Sequence, residues 1–230
     1  MKNVILFAII MIVIVGCATP GVNTMSYKKH DPKTTTNEIQ VDQPYSQVWD
    51  KLVRELSKSF YVINNIDKES RIINLSFSSQ SPTDFVDCGE THRTYTHGKE
   101  VANYDYNVAD SSTYKSAGEA RDAFSYYGII RRTASLEGRS NIYLAPLEND
   151  KAKTTVAVNT RYMLTIGVTG DLYAQHINGN IFNQGQLPHQ QPTIISFNTN
   201  HPTEHDFGEG VKVTCFSNGK LEQDVLQILQ

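Results

Sequence analysis

The chain has no excess of positive charge. Its 230 residues include 21 Lys and Arg against 24 Asp and Glu, which gives a formal net charge of −3. A protein that binds nucleic acid neutralises phosphates with a surplus of basic side chains. The composition therefore argues against a nucleic-acid partner, and we expect the pairs Lys28-Lys29 and Arg131-Arg132 to be solvated.

The sequence also lacks the common motifs of phosphate binding and nucleophilic catalysis. It contains no G-x-x-x-x-G-K-[ST] loop, no G-x-G-x-x-G loop and no G-x-S-x-G turn. Asp84, Asp87 and Glu90 are acids close together in sequence, but no paired-carboxylate geometry can be inferred for them. We therefore predict that the protein is not an enzyme and carries no cofactor.

Long apolar runs are absent except for one, the 12 residues from Val4 to Val15 that follow Met1-Lys2-Asn3. Crossing a bilayer takes about 20 residues, so this run is too short to span one and excludes a multi-span membrane protein. It has the length of the apolar core of a secretory signal. We predict a signal peptide over residues 1–16.

The run ends in Ile14-Val15-Gly16-Cys17, which resembles the lipobox of bacterial lipoproteins. The resemblance implies that Cys17 carries a diacylglyceryl group on its thiol, that the chain is cut before it, and that its amine is acylated. Ala18 in place of Asp permits sorting to the outer membrane under the enterobacterial rule. We expect a membrane anchor through this lipid, with the body facing the periplasm. The alternatives are a short buried helix or a plain signal peptide followed by a chance cysteine.

Cysteine is scarce, with three residues in the chain. With Cys17 assigned to lipid, Cys88 and Cys215 remain, and an oxidising periplasm favours a disulfide between them. Two buried free thiols or thiolate metal ligands are the other interpretations.

Residues 17–37 have almost no apolar periodicity, so we predict a lipidated cysteine followed by a flexible tether. A single α+β domain is predicted over residues 38–230. Residues 38–41 alternate as in a strand, and a helix is predicted over residues 44–59. Its apolar stripe recurs at helical spacing: Tyr45, Val48, Trp49, Leu52, Val53, Leu56 and Phe60. Two strands, residues 61–63 and 71–77, follow around a polar turn.

Residues 78–137 form a polar, tyrosine-rich insertion in this interpretation. We expect long loops or a short helix near residues 119–127. The tyrosines, Tyr95, Tyr104, Tyr106, Tyr114, Tyr126 and Tyr127, are amphipathic side chains that are common in contact surfaces. They fit a partner-binding surface or, equally, a means of fixing a long segment to the body.

A hairpin is predicted from residues 139–144 and 154–166, with a turn at 148–151. Residues 167–192 are predicted to be loop, residues 193–199 and 211–216 strands, and the chain ends in a helix with Leu221, Val225, Leu226 and Leu229 on its apolar face. The predicted fold is α+β, with a twisted antiparallel sheet packed against the two helices.

The helix start Pro44-Tyr45-Ser46-Gln47-Val48-Trp49-Asp50-Lys51-Leu52, followed by Phe60-Tyr61-Val62-Ile63 and a hairpin, resembles the repeated domain of BamC-type outer-membrane lipoproteins. It is more loosely similar to the opening of helix-grip folds. The strand-to-helix ending at residues 215–222 looks like that of small lipoproteins of this type. The resemblance implies a non-enzymatic envelope lipoprotein that docks onto other envelope proteins.

Two histidine patterns suggest metal binding. His201-Pro202-Thr203-Glu204-His205 matches the string H-x-x-E-H, in which two histidines on one helical face hold zinc beside a glutamate base. Its surroundings are typical of a loop. Cys88, His92 and His97 form a second, weaker set. We predict no metal at either place.

Three functions follow as expectations. The first is a structural, docking component of a multiprotein assembly in the cell envelope. The second is a periplasmic module that binds a lipid or small apolar ligand between helix and sheet. The third is a metal-dependent hydrolase using His201, Glu204 and His205.

Overall fold

The computed structural model describes residues 17–208 and 210–230. The predicted signal peptide, residues 1–16, lies outside this part of the chain. The strands are β1 Val22–Lys28, β2 Glu38–Val41, β3 Val62–Asp67, β4 Ile72–Ser79, β5 Val86–Asp87, β6 Glu90–His97, β7 Glu100–Asn107, β8 Ser112–Arg121, β9 Phe124–Leu147, β10 Asp150–His176, β11 Ile181–Gln186, β12 Thr193–Asn198, β13 Thr203–Asp206 and β14 Lys212–Ser217. The helices are α1 Tyr45–Leu56, α2 Lys220–Gln227 and a 3-10 turn at Pro82–Asp84.

The predicted α+β class is confirmed, because two helices pack against a largely antiparallel sheet. The large sheet has the strand order β11-β10-β9-β4-β3, and β8, β2 and β12 pair along the long strands. Two three-stranded sheets accompany it, with the orders β1-β6-β7 and β13-β14-β5. In the described residues no helix has the length and apolar character that crossing a bilayer requires.

A long hairpin organises the molecule. Strands β9 and β10 have 24 and 27 residues and pair from Leu147 with Asp150 at the turn to Phe124 with His176 at the far end. The predicted hairpin is confirmed at its turn end. The loop predicted over residues 167–192 is wrong, because Gly167 to His176 continue β10 and β11 pairs back onto it. Straight strands of this length span roughly 80 Å.

The helices cover one face of the sheet at the turn end of this hairpin. Helix α1 follows Pro44, whose extended backbone opens the helix, and buries Val48, Leu52 and Leu56 completely. It contacts β9 and β10. The helix ends three residues before the predicted Ser59, where the Ser57 hydroxyl donates to the Arg54 carbonyl at 2.7 Å.

The segment 78–137 is sheet rather than long loops or a short helix. Strands β6 and β7 form a hairpin, and β8 pairs with the far half of β9. The predicted helix near residues 119–127 is replaced by the turn between β8 and β9, where Asp122 has a φ of 54°. Hydrophobic periodicity fails here because these strands carry Thr, Tyr and Asn in place of a regular apolar stripe. Thr and Tyr fit a half-buried sheet, but they give no apolar alternation in the sequence.

The prediction of a flexible tether over residues 17–37 is also wrong. Residues 22–28 form β1 and pair in antiparallel register with β6, from Val22 with Thr96 to Lys28 with Glu90. Most of β1 is exposed, so the segment has few apolar contacts to signal a strand. Backbone pairing, which hydropathy does not report, gives the segment its fixed course.

Candidate functional site

Cys17 lies at the far end of the long hairpin. Its thiol is free and exposed. The backbone N–H of the next residue, Ala18, donates to the carbonyl oxygen of Asp122 at 3.0 Å, in the turn that leads into β9. The thiol predicted to carry lipid is therefore accessible, and the chain meets the body one residue after it.

Residues 18–37 are bonded to the body along their whole length. The residues that make these contacts are Ala18, Asn23, Tyr27, His30, Thr35 and Asn37. The Tyr27 hydroxyl donates to the carbonyl of Cys88 at 3.1 Å and accepts the N–H of Thr214 at 3.2 Å. These contacts fix the course of the chain from Cys17, at the far end of the hairpin, to the end of the molecule that carries the helices.

The predicted disulfide between Cys88 and Cys215 is present. The two Cα atoms are 4.1 Å apart and both side chains are fully buried. The bond joins the chain between β5 and β6 to β14, next to the pairing of Asp87 with Phe216. It ties the start of the 78–137 segment to the last strand, as expected, and excludes free thiols or thiolate metal ligands at these two positions.

Several tyrosines of this segment pack where the small sheet meets the large one, among them Tyr95 and Tyr127. The Lys115 ammonium lies 4.5 Å from the ring centre of Tyr95 and 4.1 Å from that of Tyr127, and pairs with Glu100 at 2.8 Å. Burial lowers the pKa of Lys115, but the Glu100 carboxylate outweighs burial and the pKa lies above its ordinary value. For Tyr95 and Tyr127, both buried, the structure favours fixing the segment to the body over partner binding.

A second part of the same interface is built on arginine. Arg93 Nε donates to the Tyr106 hydroxyl at 2.7 Å, and its guanidinium lies 4.6 Å from the ring centre of Tyr114. The rings of Tyr106 and Tyr114 stack at 6.1 Å. Such cation–π contacts gain strength where water is excluded.

The expectation that Arg131-Arg132 is a solvated pair is correct for one residue and wrong for the other. Arg131 is exposed and pairs with Asp171. Arg132 is 7% exposed and donates to the backbone carbonyls of Val108 and Asp110. A guanidinium offers five donors in a planar fork, which suits carbonyl oxygens of a buried turn. Arg132 therefore holds the β7–β8 connection onto β9.

Helix α2 carries a buried carboxylate on its inner face, for which no function is predicted from the sequence. Glu222 is fully buried and accepts the hydroxyls of Tyr162 at 2.9 Å and Thr199 at 2.6 Å. Ser217 donates to the Tyr162 hydroxyl at 3.2 Å. Burial, and then the charge of Glu222, raise the pKa of Tyr162 far above its ordinary value.

This cluster holds α2 to β10, β14 and the chain after β12. It has no exposed side-chain surface at Glu222, so it serves stability rather than ligand binding. One signal could have identified it, because Glu222 occurs on the stripe of Val225, Leu226 and Leu229 at helical spacing. An acidic side chain on the apolar stripe of a helix is buried only where hydrogen-bond donors or charged partners compensate for its loss of water.

The H-x-x-E-H string does not form a metal site. Residues 203–206 are strand β13, on which the neighbours Glu204 and His205 point to opposite faces. Glu204 pairs with Lys212 at 3.2 Å, and the His205 ring contacts Phe207. The predicted loop is thus a short exposed strand, which gives the two histidines no shared helical face.

The other candidate ligands are also dispersed. Cys88 is in the disulfide, His92 pairs with Asp105 at 2.6 Å, and His97 contacts the Ser125 hydroxyl at 3.1 Å. Within residues 17–208 and 210–230, no group of three or more His, Cys, Asp or Glu side chains is placed to hold a metal ion.

The acids near Cys88 serve separate contacts. Asp87 pairs with His30 at 2.8 Å and accepts the N–H of Gly89 at 2.8 Å, whereas Glu90 pairs with Lys28 at 3.1 Å. Burial acts to raise the pKa of Asp87, but these donors outweigh it and the pKa lies below its ordinary value. Asp87 is therefore a charged structural group in a local network.

The free edge of the large sheet is the most distinctive exposed surface at the helix-bearing end. Strand β3 pairs on one side with β4 and ends the sheet order there. Val62 and Ile66 on this strand are 58% and 42% exposed, and Phe60, two residues before the strand, is 61% exposed. We call these three residues the β3 edge. A groove of about 540 Å³ adjoins it on the outer face of β4 and β9.

Comparisons with protein-family models, with curated proteins and with solved structures find no match for this chain. The resemblance to BamC-type domains therefore stays a prediction.

Proposed function

We propose that this protein is a lipid-anchored lipoprotein of the bacterial cell envelope that docks onto other proteins of a multiprotein assembly. Acyl chains on Cys17 hold it to the outer membrane, and its body faces the periplasm. Several acyl chains give stable anchoring where one chain gives only marginal binding. The exposed thiol of Cys17 at one extreme of the molecule is compatible with this anchor.

The observation that carries the docking proposal is the β3 edge. An exposed strand with a free edge and apolar side chains is a template for an added strand from another chain. Exposed large apolar residues grouped at such an edge are typical of interaction sites. Phe60 also lies against the aromatic rings of Tyr61, at 4.1 Å, and Phe85, at 6.3 Å, so a partner side chain would meet an aromatic platform.

The position of the edge supports the same function. Strand β4 pairs with β9 between Leu136 and Tyr143, whereas Ala18 is bonded beside the start of β9 at Phe124. At about 3.3 Å per residue this separation along the strand is roughly 40–60 Å. A partner on the β3 edge would be engaged well away from the anchored end.

The packing of α1 argues against the ligand-binding alternative. A pocket between helix and sheet would need space along the apolar face of α1. That face is closed, since Val48, Leu52 and Leu56 are fully buried and Trp49 is 4% exposed. We therefore prefer docking to the binding of a lipid inside the domain.

Photo-crosslinking in cells tests the proposal. A photoreactive amino acid is placed at Val62 or Ile66, and a control is placed at Lys151, which is exposed at the start of β10, next to the hairpin turn at the same end. We expect the β3-edge positions to yield a defined crosslinked envelope protein and the control to yield none. Absence of any protein neighbour at Val62 and Ile66 would contradict the docking function.

Mass spectrometry of the N-terminal peptide from membrane-extracted protein tests the anchor. We expect residue 17 to be the first residue and to carry a diacylglyceryl group and an N-acyl chain. An unmodified Cys17, or a chain that retains residues 1–16, would contradict lipid anchoring.

A further inference from the structure

Three large apolar side chains are exposed at the end of the molecule that carries Cys17. Ile177 is 57% exposed, Ile181 is 55% exposed and Phe182 is 47% exposed. They lie in and beside the turn between β10 and β11. We call these three residues the apolar tip.

The apolar tip is adjacent to Cys17 through a short series of backbone contacts. Ala18 donates to the carbonyl of Asp122, and Ile177 donates to the carbonyl of Ala123 at 2.9 Å. Asp122 and Ala123 are consecutive, so Cys17 and Ile177 flank the same turn. Phe182 joins this group because its ring lies 6.0 Å from that of Phe124, the first residue of β9.

The composition of the tip suits the surface of a bilayer. From Leu172 to Gln186, which covers the end of β10 and all of β11, the sequence contains no Asp, Glu, Lys or Arg, although 20% of the whole chain is charged. All six residues of β11 are exposed, so this absence of charge is not explained by burial. Uncharged segments with exposed Phe and Ile partition into the boundary between headgroups and acyl chains.

Basic residues lie at the margin of the tip. Arg121 pairs with Phe124 across the β8–β9 turn, and Lys99 follows Gly98 in the β6–β7 turn next to His97, which contacts the carbonyl of Thr19 at 3.2 Å. Both basic side chains belong to exposed residues. Asp122 in the same turn and Glu119 on β8 are also exposed, so the apolar side chains and the position of Cys17, rather than charge, favour membrane contact.

We propose that the apolar tip lies in the interfacial layer of the same bilayer that holds the acyl chains of Cys17. This inference rests on the lipid anchor of the proposed function and adds a fixed orientation to it. Because Ala18 is already bonded to the body, there is no slack chain to let the body move away from the lipid. The acyl chains therefore bring Ile177, Ile181 and Phe182 to the membrane surface.

The test uses the full lipidated protein in vesicles of phosphatidylethanolamine and phosphatidylglycerol with brominated acyl chains. Phe182→Trp reports on the tip, and Phe60→Trp, at a similarly exposed phenylalanine of the β3 edge, is the matched control. Trp49 is the single native tryptophan, and its buried signal is common to both variants and can be subtracted. Ile177→Trp is a second reporter that does not disturb the Phe182–Phe124 contact.

We expect emission from the F182W and I177W proteins to shift to shorter wavelength and to be quenched by the brominated lipid. The F60W protein should show neither effect. If Cys17 is lipidated but the tip reporters are quenched no more than the control, the inference is overturned and the anchor stands. If Cys17 carries no lipid, the anchor and the inference are both overturned. Quenching confined to the tip supports the inference.

Discussion

Removing the carboxylate of Glu222 should destabilise the protein more than the loss of any exposed acid. In Glu222→Leu the hydroxyls of Tyr162 and Thr199 keep their burial and lose their acceptor. Each buried polar group left without a partner costs about 1–3 kcal/mol, so we expect a loss of roughly 2–5 kcal/mol in the free energy of unfolding. Glu222→Gln keeps the shape and one acceptor oxygen, and should cost about half as much because only the charge-assisted part is lost.

Urea unfolding followed by circular dichroism measures this difference, and Glu148→Leu, at an exposed residue of the β9–β10 turn, is the control. The control should change the free energy of unfolding by less than about 0.5 kcal/mol. Tyr162→Phe combined with Glu222→Leu should cost less than the sum of the single changes, because the double variant leaves one fewer hydroxyl unpaired. A Glu222→Leu protein as stable as the control, or strict additivity, would refute the assignment of a hydrogen-bonded buried carboxylate.

The remaining predictions concern crosslinking, packing and pH. Replacing Cys88 and Cys215 by Ala opens a loop with a sequence separation of 127 residues. In the chain-entropy model this lowers the free energy of unfolding by up to about 5 kcal/mol. A urea midpoint that does not change when the disulfide of the native protein is reduced would contradict this prediction. Gly138→Ala should cost about 1–3 kcal/mol, since a Cβ at this position would overlap the buried ring of Phe77, and thermal unfolding measures the loss. Burial and the Asp224 carboxylate raise the pKa of Tyr61, so its neutral form is favoured in the folded state. The contribution of this pKa shift to the free energy of unfolding is fully present below the ordinary tyrosine pKa of about 10. As the pH rises above that value, the contribution falls by about 1.4 kcal/mol per pH unit. A Tyr61→Phe protein should therefore lose stability less steeply in alkali, and an unchanged slope in pH-dependent unfolding would count against the shift.

Hydrophobic periodicity predicts the helix-bearing end of the molecule because each element there buries one face. The stripe of Val48, Leu52 and Leu56 predicts α1, and the alternation around Ile142 and Val158 predicts the hairpin. The disulfide follows from compartment and cysteine number rather than from pattern. These elements share one core, so the apolar positions of the sequence pattern are the positions that are buried in the structure.

The far half of the molecule could not be predicted in the same way. Strands β6 and β7 meet the large sheet through ion pairs and cation–π contacts, as at Lys115 of β8, instead of through an apolar stripe. Strands β1 and β11 are held mainly by backbone pairing and leave most side chains exposed. Periodicity reports burial, and these strands have little of it. The β3 edge and the apolar tip were missed for a related reason, since exposed apolar residues look like core residues in a sequence.

The continuous hairpin links the two proposed surfaces mechanically. Strands β9 and β10 run without a register shift from the turn flanked by Cys17 and Ile177 to the region where β4 pairs with β9. Because backbone pairing is continuous between these two ends, we expect an orientation set at one end to be carried to the other. If the apolar tip rests on the bilayer, the β3 edge faces the periplasm at a set height of some tens of ångströms. The same hairpin would then both space the docking surface from the membrane and orient it toward its partner.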